Sequence, residues 1–214
     1  MLSSDAQCSA QDFPAAAAAV LSPARISYAE IKHDNLLVSH YTGLPNDAIF
    51  QCLLALCARF EINYVSFKVT SLSQEDQLLL TLMKLRQNFS HIHIGFLFGI
   101  SVCTVTNVTS SWINVLHALL FLGVMRAVGI PSRLKNAKSS PDCFETFNGT
   151  RIIIDCTEFQ CAVPRCSMAE QLATFSHYKQ RNTFKALVSV APNGTTTFAS
   201  DLYPGSLSDK QIDT

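Results

Sequence analysis

A change of hydrophobic period near residue 150 constrains this chain more than any other feature. Before it, apolar residues recur at three- and four-residue steps: Ile49, Phe50, Leu53, Leu54, Cys57 and Phe60, then Leu79, Leu80, Met83 and Leu85. Val105, Val108, Trp112, Val115 and Leu119 form a third such row. That spacing puts each set on one face of a helix. After residue 150 the pattern is that of strands. Arg151–Asp155 comes first, and Thr183–Val190 and Thr195–Leu202 flank the turn residues Pro192, Asn193 and Gly194. Helices followed by strands predict an α+β chain in two parts. The expected divisions are an irregular, poorly ordered stretch over 1–40, a helical domain over 41–122, a basic linker over 123–150 and a sheet-bearing part over 151–214. No internal repeat is visible.

Within the helical part, Pro45 suits a first helical position, and Ser73 with Asp76 resembles a capping box. Gly99 can supply a positive φ, and Ser101 is a natural N-cap. Helix, short helix, glycine turn and capped helix is the helix-turn-helix order, in which the second helix enters the major groove. A small bundle that merely packs has the same order. The exposed face of the second helix is expected to present Ser101, Thr104, Thr106, Asn107, Thr109 and Ser110. Asn and Thr suit base edges, but phosphate affinity needs cations, and none follows Ser101 until Arg126. The candidate phosphate contacts are therefore Arg133, Lys135 and Lys138 in the linker. Lys179 and Arg181 lie in the basic, aromatic stretch His177–Lys185, which fits either phosphate contact or a solvated face.

Other classes fit less well. With 16 basic and 16 acidic residues in 214, there is no global basic field. The 8 cysteines include no C-x-x-C pair, and the five-residue spacing of Cys156, Cys161 and Cys166 matches no common zinc motif. They read as reduced thiols. His91 and His93 do not share a helix face, so they read as surface or loop residues rather than zinc ligands. The N-terminus has no basic leader, and Asp5 and Asp12 precede the Ala15–Leu21 run, against a secretory signal. The sequons at Asn88, Asn107, Asn148 and Asn193 then read as chance matches. Ile113–Ile130 is apolar, but Asn114, His117 and Arg126 interrupt it. It reads as a buried helix joining the two parts, with no membrane partner.

Arg151–Asp155 reads as a buried strand that delivers a carboxylate to a sheet edge. An aspartate capping a turn would give the same pattern. The motifs FLFGIS and TVTNVTSSWI, then IIIDCTEF, YKQRNTFKALVSVAPNG and SDLYPGSLSDKQI, resemble the eukaryotic Harbinger-type transposases of the DDE superfamily. The resemblance covers about residues 41 to 213. It implies a helix-turn-helix ahead of a ribonuclease H-like nuclease domain, DNA as partner and the nucleus as location. It also implies a trio of acids holding two divalent ions, Mg²⁺ or Mn²⁺, which activate water and stabilise a leaving oxygen.

Carried onto this chain, the resemblance puts Asp155 at the first acidic position. Asp209, in the Gly205–Lys210 motif, is a candidate second ligand or the cap of a following helix. The third acid has no counterpart here, which implies an incomplete nuclease domain. The neutral residue Asn107 stands where relatives carry a base, which weakens the case for tight DNA binding. Three functions remain open: a transposase-derived DNA-binding remnant, an active nuclease continuing past Thr214, and a host-retained binding or interaction module.

Overall fold

The computed structural model describes residues 25–147 and 149–212. The expectation of an irregular N-terminus lies, for residues 1–24, outside the described residues. The remainder is α+β, as the change of period predicts. It divides into a helical unit ending at His117 and a sheet-bearing unit beginning at Ala118.

The helical unit starts earlier than the periodicity suggests. Two helices lie within the stretch expected to be irregular, α1 (Tyr28–Ile31) and α2 (Asn35–Thr42). Asp34 caps α2 by accepting from the Leu36 and Leu37 amides, and Gly43 ends it at φ +76°. α1 is too short for a periodic signal, but the Tyr28 amide donates to Asp76 at 2.7 Å and its ring stacks on Phe50 at 3.8 Å. Helix α3 (Asp47–Cys57) begins after Asn46, which caps Ile49, so Pro45 precedes the cap rather than opening the helix.

Helix α4 (Gln74–Gln87) starts on Ser73, whose Oγ accepts from the Asp76 amide and donates to its carboxylate. α5 (His91–Phe98) ends on Gly99 at φ +64°, and α6 (Val102–Leu116) is capped by Ser101. The turn is tight: a Cβ on Gly95 would stand 2.8 Å from the Ile100 carbonyl oxygen. Leu79, Leu80, Met83, Ile94, Val105, Val108 and Trp112 fill the core. Leu85, placed on that face by periodicity, is exposed.

Beyond Leu116 the helical run continues to Met125 as a π-helix, His117–Met125. By length and composition alone Val102–Met125 could cross a bilayer. Within the helical unit, however, Val105, Val108, Trp112, Val115 and Leu116 are buried against protein.

In the second unit, the stretch expected to be a linker is folded. It holds α7 (Arg126–Val128), α8 (Arg133–Ala137) and a 3₁₀ turn, Asp142–Phe147. Asn136 is buried and donates to the Arg151 carbonyl at 2.7 Å, and Arg151 donates back to the Pro131 carbonyl. A polar, proline-interrupted segment gives little periodic signal, yet these hydrogen bonds join it to the base of the sheet.

That sheet is built on one long central strand. β1 (Ile153–Gln160), β2 (Phe175–Ser176), β3 (Arg181–Val190), β4 (Thr196–Ala199) and β5 (Tyr203–Pro204) run antiparallel, with β1 and β2 flanking β3 and with β4 and β5 also pairing to β3. The β3–β4 hairpin turns at Asn193-Gly194, where Gly194 has φ +83° and Asn193 accepts from the Thr195 amide. Two short helices complete the unit, α9 (Met168–Thr174) before β2 and α10 (Asp209–Ile212) after β5. β1 differs from its expected form. Asp155 lies near its start rather than its end, and Ile153 and Ile154 are about half exposed, because β1 has one strand neighbour among the described residues.

Candidate nuclease cleft and DNA-contacting groups

The N-terminal end of α6 offers what the sequence predicts, but its middle does not. Ser101 is exposed, and its Oγ caps the Thr104 amide while lying 2.9 Å from the Thr104 hydroxyl. Thr106 is exposed beside His91, 2.9 Å from its Nδ1. Asn107 corrects the expectation of an outward face. It is 3% exposed, its Oδ1 accepts from the Ser66 amide, and its Nδ2 donates to the Phe67 carbonyl. The side chain satisfies a loop that has no ladder of its own, and so it is unavailable to a base edge. Thr109 is buried as well.

The candidate phosphate contacts are solvent-facing. Arg133, Lys135 and Lys138 are exposed on and just after α8. Lys179 and Arg181 are exposed at the β2–β3 turn. There the Lys179 ammonium lies 4.4 Å from the Tyr178 ring, and Arg181 donates to Gln160 at 3.1 Å.

A cleft of about 750 Å³ opens over the start of the sheet, bordered by Asp155, Cys156, Glu158, Lys185, Ser208 and Asp209 among others. Register places Glu158 directly opposite Lys185 on β3. Both are nearly buried, and Lys185 Nζ lies 3.5 Å from Glu158 Oε1 and 3.1 Å from Asp209 Oδ1. The second Glu158 oxygen accepts from Thr183 Oγ1 at 2.9 Å. Burial works against the charge of Glu158, but hydrogen bonds from Ser176 and Thr183 and the Lys185 ammonium more than offset it, and the carboxyl sits below its usual range. Burial also works against Lys185, yet Asp209 and then Glu158 raise it above the ordinary lysine value.

Asp155 stands apart from this group. Its side chain is exposed and accepts from the Cys156 amide at 2.8 Å. An offset of three along a strand points it to the face opposite Glu158. Asp209 is the first residue of α10. Ser208 rather than Asp209 occupies the cap, with its amide and hydroxyl both donating to Gln211 Oε1.

Residues 154–213 match the family model described as DDE superfamily endonuclease, and residues 70–121 match that of the helix-turn-helix of DDE superfamily endonuclease. The chain carries DDE superfamily endonuclease domains. No curated protein and no solved structure gives a significant match.

Endonucleases of the DDE superfamily generally use divalent metals, so the acids of this DDE domain can be tested for fit. Among the described residues no group of three or more His, Cys, Asp or Glu side chains is disposed to hold an ion. Asp155 offers one carboxylate, and the Asp209 carboxylate is engaged by an ammonium. Mg²⁺ requires near-octahedral oxygen ligation. The side chains as arranged do not make that site.

Nothing local in the sequence pairs Glu158 with Lys185, which ends the basic stretch His177–Lys185 that fits either phosphate contact or a solvated face. A signal was present. A lysine inside the apolar strand Phe184–Val190 asks for a buried partner, because lysine is almost never buried unpaired.

Proposed function

We propose that this chain is a transposase-derived DNA-binding protein of the eukaryotic Harbinger type, acting in the nucleus, whose nuclease domain does not cleave DNA in this chain by itself. The DNA-binding part is supported by the close-packed α5–Gly99–α6 arrangement within the matched stretch, with the capped N-terminal end of α6 exposed. The exposed cations on and after α8 and at the Tyr178–Arg181 turn would add phosphate contacts. The non-cleaving part is supported by one observation. Of the two exposed acids that the resemblance names, Asp209 is ion-paired with Lys185, which leaves Asp155.

Supercoiled plasmid incubated with the purified chain and Mg²⁺ or Mn²⁺ tests this. No nicking above the Asp155→Ala background is expected. Metal-dependent nicking that vanishes in Asp155→Ala would instead establish the active-nuclease reading. That reading draws its support from the exposed carboxylate of Asp155 inside the matched segment.

A further inference from the structure

The cleft of the sheet unit already contains a cation. Lys185 comes up from the middle of β3, and its ammonium reaches two carboxylates from different elements, Glu158 on β1 and Asp209 at the start of α10. Its side chain is 9% exposed and that of Glu158 7%, whereas that of Asp209 is 67% exposed. An ammonium held so far from water needs an anionic partner, and here the buried Glu158 supplies one and the exposed Asp209 a second. Glu158 is fixed further by Thr183 Oγ1. Asp209 is thus the exposed half of the arrangement, held onto the sheet by a buried charge.

The turn before it reinforces this seat. The Gly205 amide donates to the Thr183 carbonyl at 3.0 Å, and a Cβ on Gly205 would run into Thr183 Oγ1 and stand 2.7 Å from the Thr174 and Thr183 carbonyl oxygens. Only glycine lets the Pro204–Ser206 backbone lie this close to β3, which sets Ser208 and Asp209 over Lys185. Cys156 lies on the same side, where burial and the neighbouring Asp209 carboxylate push its thiol up. A protonated thiol is a poor metal ligand.

We propose that Lys185 acts as the resident cation of this cleft, holding Asp209 through its ammonium and so excluding a divalent ion from that carboxylate. Lys185 is a positioning residue: it acts on the site through Asp209. A divalent ion at Asp209 must either displace a buried, doubly paired ammonium from Oδ1 or sit on Oδ2 against its repulsion. Removing that charge leaves Glu158 and Asp209 facing one another across an empty seat, with net negative charge and oxygen donors suited to a hard cation. The inference concerns where the Asp209 carboxylate is committed. It shares the non-cleaving reading above but does not depend on DNA binding.

The test is Mn²⁺ binding to the full chain without DNA, followed by the loss of the free-ion electron paramagnetic resonance signal. Asp209→Asn should leave wild-type Mn²⁺ affinity unchanged, since that carboxylate is not available to the ion. Lys185→Gln should bind Mn²⁺ at least about tenfold more tightly than wild type, and Lys185→Gln/Asp209→Asn should lose that gain. Lys185→Arg, which keeps the charge, should show no gain.

Two outcomes would overturn the proposal: wild-type Mn²⁺ binding that weakens in Asp209→Asn, or a folded Lys185→Gln chain that binds no better than wild type. If Lys185→Gln does not fold, the Asp209→Asn comparison still decides, because that exposed substitution spares the buried pair. Plasmid nicking by a chain that passes the Mn²⁺ test would sink the non-cleaving function while leaving the role of Lys185 intact.

Discussion

Trp112 donates its indole N–H to Gln77 Oε1 at 3.0 Å, and this contact joins α6 to α4 at the centre of the helical unit. The same oxygen accepts from the Tyr64 hydroxyl at 2.8 Å, while the Gln77 amide donates to the Leu72 carbonyl. One buried glutamine therefore satisfies three groups, two of which belong to the segment between α3 and α4. Trp112→Ala should cost about 3–5 kcal/mol. Gln77→Leu should cost about 1–3 kcal/mol for each donor it leaves unpaired. Trp112 is the only tryptophan, so in Gln77→Leu its fluorescence in urea reports the helical unit alone. Far-UV circular dichroism replaces it for Trp112→Ala.

Asn107 should behave as a structural residue. Asn107→Ala removes the acceptor for the Ser66 amide and the donor to the Phe67 carbonyl, and leaves the loop held by Ser111, which donates to the Asn107 carbonyl and accepts from the Val65 amide, and by the Tyr64 and Leu72 bonds to Gln77. Unfolding should come at lower urea by an amount matching about 1–3 kcal/mol. DNA affinity measured by fluorescence anisotropy well below the unfolding transition should not change. A loss of affinity with unchanged stability would return Asn107 to the DNA face.

The helices from α3 to α6 were legible because their signals are local. Ser73, Ser101, Gly99 and the Val105–Trp112 row each carry a cap, a turn or a period within a few residues. The hairpin at Asn193-Gly194 was legible for the same reason. What the sequence hid is non-local. Asn107 looks like a polar face residue until the 60s loop, some 40 positions earlier, folds over it. The stretch 123–150 looks like a linker because its order comes from hydrogen bonds to Arg151 and Asn193 rather than from periodicity. Glu158 and Lys185 meet only once the β1–β3 register is fixed, and periodicity alone does not fix it.

The buried pair makes the sheet unit sensitive to pH at both ends. Glu158 is held below its ordinary value, so its contribution is complete above the unfolded carboxyl value of about 4.3 and is lost as pH falls through the lower folded one. Lys185 is raised, so its contribution is complete below about 10.4 and is lost as pH rises through the higher folded value. Calorimetry of the full chain across pH should show the sheet transition falling in temperature at both extremes and level between them. Glu158→Gln should lower the plateau and flatten the acid limb. An acid limb unchanged in that variant would assign the loss to other carboxylates.

DNA affinity should come from cations outside α6. That helix presents Ser101, Thr104 and Thr106 toward solvent but no cation, and Asn107 is withdrawn into the core. Exposed cations lie elsewhere, among them Arg86 on α4, Arg133, Lys135 and Lys138, and Lys179 and Arg181. Binding through phosphate alone is non-specific, with Kd of about 10⁻⁴–10⁻⁶ M at physiological salt. Each phosphate contact contributes about 0.9 to the slope of log affinity against log salt. Neutralising Arg133, Lys135 and Lys138 together should therefore weaken binding to every duplex alike and flatten the slope by up to about 3. Ser101→Ala and Thr104→Ala should change the salt slope little, whatever they do to the stability of the α6 cap. The decisive comparison is two unrelated duplexes titrated at several salt concentrations. Tight binding to one of them that survives high salt and falls in Thr104→Ala would mean that α6 reads bases, and the phosphate account would fail.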